Sequence, residues 1–249
     1  MLLALTGSEV RIRSVFTSDP DLRPRHLRPR PSYSVGMQKP AVISVLLVVL
    51  AGAQTTFPQN QTAAAKPAGV PVRIETALGN IDLAIDTVHA PRTATNFLRY
   101  VDGGFYDGGR FTRVTRPDNY TPQLPNRPPM EIIQGGINPA RQSEQFPAIE
   151  LERTSVTGLK HVRGTVSMAR GNTADTATAE FFILLDEAQP SLDFGGKRFD
   201  DEQGAAAFGM VTTGMDVVRK IQQQNPVQPS PRQQYLVTPV SIAKAYRMK

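Results

Sequence analysis

The sequence VPVRIETALGNIDLAI, residues 70–85, decides what kind of chain this is. Val72, Ile74 and Thr76 alternate with polar neighbours, Leu78-Gly79-Asn80 marks a turn, and Ile81, Leu83 and Ile85 resume the alternation. A period of two puts alternate side chains on one face of a pleated strand, so the stretch predicts an antiparallel hairpin with one buried face. Downstream, Ala90-Pro91 places a proline at a helix start, with Ala94, Phe97, Leu98 and Val101 at helical spacing and Gly103-Gly104 as the stop. Short strands are expected at Phe111–Val114, Glu131–Gln134, Ala148–Leu151, Thr165–Arg170, Glu180–Leu185 and Ala206–Thr212. A second helix fits Met215–Gln222, and a last strand runs from Gln234 to Tyr246. Many short strands with turn signals between them and only two helices argue for a mainly β fold, a closed antiparallel barrel. Closure removes the exposed edges that make open sheets associate. No repeat of 20–50 residues is visible, which argues against solenoids and propellers.

Upstream of the hairpin the chain changes character. The net charge is +6 over 249 residues. Residues 1–53 hold seven basic side chains (Arg11, Arg13, Arg23, Arg25, Arg28, Arg30, Lys39) against three acidic ones (Glu9, Asp19, Asp21), so +4 of the +6 lies there. The domain that follows is near neutral and has no stripe of basic and aromatic residues, so no nucleic-acid partner is expected. From Met37 the chain reads as a short positive segment, an apolar run from Pro40 to Leu50 and an A-x-A cleavage signal, Ala51-Gly52-Ala53, before Gln54. Residues 37–53 are therefore read as a signal peptide, too short to span a bilayer, and residues 1–36 as a misassigned extension ahead of the true start. The competing reading is a disordered tail followed by an uncleaved anchor. Residues 54–69, rich in Gln, Thr, Ala and Pro, read as a flexible linker, leaving 70–249 as the one globular domain. The expected product is periplasmic or secreted, monomeric, and not inserted in a membrane after cleavage. Asn60-Gln-Thr and Asn119-Tyr-Thr match glycosylation sequons, a pattern common by chance.

The chain has no cysteine, which excludes thiol chemistry, disulfides and Cys-based zinc sites. His26, His89 and His161 stand far apart with no metal-ligand spacing, so no metal and no cofactor is expected.

The segments Ala90-Pro-Arg-Thr-Ala-Thr-Asn-Phe97, Tyr106-Asp-Gly-Gly-Arg-Phe-Thr-Arg-Val114, Ile133-Gln-Gly-Gly136 and Arg163-Gly-Thr165 through Met168-Ala-Arg170 to Ala179-Glu-Phe-Phe-Ile183 occur in an order that resembles the cyclophilin family. Ser191-Leu-Asp193 and Ala207-Phe-Gly-Met-Val211 with Gly214-Met-Asp-Val-Val218 complete the pattern, which covers residues 71–247. The resemblance implies an eight-stranded antiparallel barrel capped by two α-helices, and a peptidyl-prolyl cis-trans isomerase acting on proline-containing polypeptides.

An X–Pro bond turns slowly because amide resonance gives its C–N bond partial double-bond character. A catalyst need form no covalent bond. It must stabilise a twisted amide whose nitrogen regains a lone pair, and a permanently charged guanidinium aimed at that nitrogen does so. By the resemblance, Arg113 is that catalytic group and Gln134 orients it. Ile132, Phe182 and Leu192 correspond to walls of the proline pocket. Ala169 and Arg170 correspond to the backbone that pairs with a bound peptide. Glu180 stands where a glutamine is usual. If its carboxylate faces Arg113, the pair would fix the guanidinium while competing for its donors, and Glu180→Gln would raise turnover. Glu131, Ser191 and Ala205 fall where the family places a pocket phenylalanine, an aromatic residue, and a histidine or tyrosine. Extra residues, including the Pro122–Pro129 stretch, lie between Arg113 and Gln134. A wider, more polar pocket follows, and poor binding of cyclic peptide drugs. These departures support a second reading, a non-catalytic peptide-binding or chaperone module on the same barrel.

Overall fold

A computed structural model describes residues 69–119, 128–226 and 233–249. The expected signal peptide, the N-terminal extension, the Asn60 sequon, nearly all of the linker and most of the Pro122–Pro129 stretch lie outside the described residues.

The hairpin forms as its alternation requires. Strands β1 (Val70–Thr76) and β2 (Gly79–Ile85) pair antiparallel with Ile74 opposite Ile81 and Arg73 opposite Asp82. Val72, Ile74, Ile81, Leu83 and Ile85 are all buried. On the outer face Arg73 donates to both carboxylate oxygens of Asp82 at 2.7 and 2.9 Å. Gly79 carries the turn at φ +126°, and a Cβ there would stand 2.8 Å from Val217 Cγ2, so the position admits only glycine without strain.

The remaining elements are α1 (Pro91–Asp102), β3 (Arg110–Thr115), β4 (Ile132–Gly136), the single-turn α2 (Thr154–Thr157), β5 (Thr165–Met168), β6 (Phe181–Leu184), β7 (Ala207–Thr213), α3 (Met215–Gln222) and β8 (Tyr235–Arg247). Every strand pairing is antiparallel, and the order β1-β2-β7-β5-β6-β4-β3-β8 closes on itself as an eight-stranded barrel. Inside it Phe97, Tyr106, Phe181 and Phe208 pack with ring centroids 5.1 to 5.5 Å apart, in tilted and edge-on arrangements.

One expected strand is absent. Ala148–Leu151 contributes a lone bridge, with Ile149 N–H donating to the carbonyl of Ala177 at 3.0 Å. Its acidic neighbours serve a helix instead. Ala90, at the start of α1, offers no side-chain cap. The Glu152 carboxylate takes that place, accepting from the backbone N–H of Arg92 at 3.0 Å and of Thr93 at 2.7 Å. Those are two of the donors that a helix start leaves unsatisfied, and the anion also matches the helix dipole. The helix count also differs from the expected two, through α2 and two short 3-10 turns.

β4 and β6 carry the step that makes a site. Their side chains alternate between the barrel interior and a second apolar cluster outside it. Ile133, Phe181 and Ile183 join the interior; Ile132, Phe182 and Leu184 join Met130, Leu192 and Ala205 outside. Both faces of β6 are therefore covered, which is why Phe181–Leu184 reads as an unbroken apolar run.

Candidate active site

The site begins at a β-bulge. Across β3 and β4, Phe111 is opposite Gly135, yet Arg113 is opposite Gln134, so two steps on β3 match one on β4. Such a bulge re-aims the side chain that follows it. Gln134 is in turn opposite Phe182 on β6, and Phe182 is opposite Ser167 on β5. A row of four residues from four strands thus crosses the barrel wall.

Arg113 is held from two sides. Its Nη1 donates to Gln134 Oε1 at 2.8 Å, while Nε and Nη2 both donate to Gln234 Oε1 at 3.0 and 2.6 Å. Both acceptors are neutral carboxamides. Burial, and then the charge of Arg198, pull the guanidinium's proton affinity down, partly offset by Tyr235 and Glu180. It remains a cation, as arginine does in proteins.

Glu180 does not meet the expectation of a carboxylate paired with Arg113. Its Oε2 accepts from Gln134 Nε2 at 2.7 Å. That bond has an orienting consequence, because the amide nitrogen must face Glu180 and the amide oxygen is left facing Arg113.

Arg113 and Gln134 border a cavity of about 230 Å³ with Ile132, Phe182 and Leu192 among its walls and Ala169 and Arg170 on its rim. The structure thus brings seven of the eight candidate residues to one cavity, with Glu180 latching Gln134 beside it. β5 ends at Met168, and just beyond it Ala169 N–H still donates to the Glu180 carbonyl at 2.9 Å. The Arg170 side chain turns away from the row: it donates to both oxygens of Asp201 at 3.0 and 2.7 Å, with its guanidinium 3.6 Å from the Phe199 ring centre.

Sequence reasoning missed Gln234, Met130, Arg198, Phe199 and Tyr235, all of which touch Arg113 or line the cavity. It also misplaced Glu131. The Glu131 carboxylate accepts from Gln222 on α3 at 3.0 Å, and the wall is supplied by Met130 one residue earlier. Ser191 is buried with its hydroxyl on Gln189, and Ala205 packs in the pocket cluster. Phe199 packs against the same cluster and lines the cavity. Asn119, in the second sequon, is 1% exposed, and its amide donates to the carbonyls of Val114 and Gln233.

Phe182 is itself supported from beneath. The His161 imidazole stacks on it at an interplanar angle of 15°, and its ring nitrogens meet Asp193 Oδ1 at 2.8 Å and Ser167 Oγ at 3.0 Å. Burial opposes ionisation of Asp193, but hydrogen bonds and charge from His161 outweigh it and hold the carboxyl below its ordinary range.

Comparison with known proteins bears on this geometry. The family model described as "Cyclophilin type peptidyl-prolyl cis-trans isomerase/CLD" matches residues 71–247. "Peptidyl-prolyl cis-trans isomerase A" of Dickeya dadantii is 36% identical over 181 residues, covering 72% of this chain and 84% of that protein. "Peptidyl-prolyl cis-trans isomerase" of Acinetobacter baylyi is 37% identical over 150 residues, covering 60% of this chain and 70% of that one. A cyclophilin-type isomerase of Cryptosporidium parvum aligns at a TM-score of 0.54 with 20% identity, covering 72% of this chain and 98% of that one, a likeness of fold. With the family matched over the whole barrel, the chain belongs to the cyclophilin-type peptidyl-prolyl cis-trans isomerases.

Proposed function

We propose that this chain accelerates rotation about X–Pro bonds in exported polypeptides, with Arg113 as the catalytic residue. The carrying observation is the Arg113 guanidinium, clamped between Gln134 and Gln234 at the mouth of a cavity walled by Ile132, Phe182 and Leu192. The proline ring packs against the apolar wall of Ile132, Phe182 and Leu192, which places the prolyl nitrogen near the guanidinium. As the amide twists, its nitrogen turns pyramidal and its lone pair becomes an acceptor that Arg113 stabilises by hydrogen bonding. Holding the guanidinium in place beforehand avoids reorganisation at the moment of twist. Beyond the end of β5, where Ala169 N–H is taken by the Glu180 carbonyl, the Ala169 carbonyl and the Arg170 backbone would pair with the peptide. No bond to carbon forms or breaks, and no proton need leave the enzyme.

Export is supported by the apolar run and Ala51-Gly-Ala53 motif ahead of Gln54. Mass spectrometry of the protein from its native host tests this: a mature N-terminus at or near Gln54 is expected, and an intact Met1 overturns it. For catalysis, a protease-coupled assay on a short X–Pro peptide compares residues 54–249 with the Arg113→Ala variant. Acceleration that the variant loses is the expected result. A folded protein that binds proline peptides without accelerating them is instead the non-catalytic module.

A further inference from the structure

We propose that Arg170 is a positioning residue for the proline pocket: its guanidinium seats the Phe199 ring as a further wall of the cavity, and so governs how tightly substrate binds rather than how fast the bond turns. The inference rests on the isomerase reading above. Phe199 sits in the loop between Leu192 and Ala205, whose backbone closes on itself. Gly195 N–H donates to the Glu202 carbonyl, Glu202 N–H to that of Phe199 and Ala205 N–H to that of Leu192, each at 2.8 to 3.0 Å. Those bonds bring residue 199 to the cavity, where its ring packs against the cluster that holds Phe182 and Leu192. Backbone bonds do not choose a rotamer, so the orientation of the ring needs a side-chain partner.

Arg170 is that partner. Its side chain is 1% exposed, a depth that a charge tolerates only when it is paired and hydrogen-bonded. Nη1 and Nη2 fork onto Asp201 Oδ2 and Oδ1 at 3.0 and 2.7 Å, and Nε donates to the Gly204 carbonyl at 2.7 Å. Nη1 also reaches the carbonyls of Gly171 and Asn172 at 3.3 and 3.4 Å. With its in-plane donors spent in this way, the guanidinium offers the ring its flat face. Its central carbon stands 3.6 Å from the Phe199 ring centre, a cation–π stack. Asp201 and Gly204 belong to the same loop as Phe199, so one side chain ties that loop to the end of β5, where the peptide backbone would pair. The stack supports the wall and leaves Arg113, held by Gln134 and Gln234, as it was. Loosening Phe199 therefore weakens the grip on ground state and transition state alike, which raises KM. The twisted amide is stabilised as before, so kcat holds.

Steady-state isomerisation kinetics on one X–Pro peptide compare the wild type with Arg170→Lys, Phe199→Ala and the double variant, each checked for fold by circular dichroism. Lysine keeps the charge and can still pair with Asp201, but it has no plane to stack. Arg170→Lys is expected to raise KM about 5-fold with kcat within about 2-fold, as Phe199→Ala does. The double variant is expected to be no worse than Phe199→Ala alone, because Arg170 acts through that ring. The chain has no tryptophan, so Phe199→Trp supplies a single emitter at the wall. Adding Arg170→Lys to it is expected to red-shift the emission and raise its quenching by acrylamide, as the ring leaves its stack and meets water. Should Arg170→Lys fail to fold, Asp201→Asn takes its place in both measurements with the same directions expected, since it weakens the fork from the loop side. An unchanged KM in Arg170→Lys, whatever becomes of kcat, overturns the inference. So do losses that add in the double variant, or an unmoved tryptophan emission; each leaves the isomerase reading intact. No acceleration by the folded wild type overturns the isomerase reading and this inference with it.

Discussion

Arg113 has three N–H groups engaged by two glutamines a hundred residues apart in the chain, so its position is a shared product of Gln134 and Gln234. Arg113→Ala is expected to lower kcat/KM by about 10²–10³-fold while thermal melting changes little, because the loss falls on transition-state stabilisation. Gln234→Ala leaves the cavity walls in place and frees one side of the guanidinium. It should lower kcat by about 10-fold with KM nearly constant, a split that steady-state kinetics resolves. Glu180 acts one step further out, through the orientation of the Gln134 amide. Glu180→Gln can still accept from Gln134 Nε2 and should keep most activity. Glu180→Ala removes the latch and should lower kcat; a fall in Glu180→Gln equal to that in Glu180→Ala would contradict the latch. Arg113 and Gln134 were legible in the sequence because they lie in short motifs. Gln234 was not, since it stands 121 residues from Arg113 and only closure of the barrel between β3 and β8 brings the two together.

At the scale of elements, legibility follows the range of the forces involved. The β1–β2 hairpin was readable because alternation and a glycine turn are local, and α1 because its apolar spacing and proline start are local. The Ala148–Leu151 strand failed because alternation says nothing about what the flanking side chains cap. Glu152 binds the start of α1 from some sixty residues away. Likewise Phe199 and Arg198 come from a loop with no periodicity, and only its internal hydrogen bonds bring them to the cavity. Glu152→Ala strips two backbone donors of α1 of their acceptor and should destabilise the protein by about 1 kcal/mol, read by denaturant unfolding. Glu152→Gln should recover part of that loss, because the amide oxygen still accepts although the charge is gone. No recovery would mean that the charge, rather than the hydrogen bonds, supports the helix.

Over the whole molecule the depressed carboxyls set how the fold meets acid. Arg116, Arg141, Arg170 and Lys220 hold Asp118, Glu144, Asp201 and Asp216 below their ordinary values through side-chain hydrogen bonds. At Asp86 and Asp193 burial pushes upward and is outweighed by hydrogen bonds from His89 and His161. Among the described carboxyls with a shift, Asp186 alone runs the other way, raised by burial. A carboxyl with a folded pKa below its unfolded one contributes stability that is fully present above the unfolded value. That stability is lost as pH falls through the folded value. With ordinary values of 3.8 for Asp and 4.5 for Glu, the loss begins near pH 4 and continues below it. Asp186 offsets one of the six and leaves the sign unchanged. Most of these pairs are exposed, and solvent makes each worth little, so the weight falls on Asp193. As the neighbour of Leu192 in the chain, it ties His161, and through it the Phe182 wall of the cavity, to the segment that carries Leu192. The melting temperature is expected to hold steady from neutral pH to about 4.5 and then to fall. Asp193→Asn should melt lower at neutral pH and show a shallower acid slope, since it no longer carries the titrating group. An Asp193→Asn profile parallel to the wild type would place the acid sensitivity in the surface pairs instead.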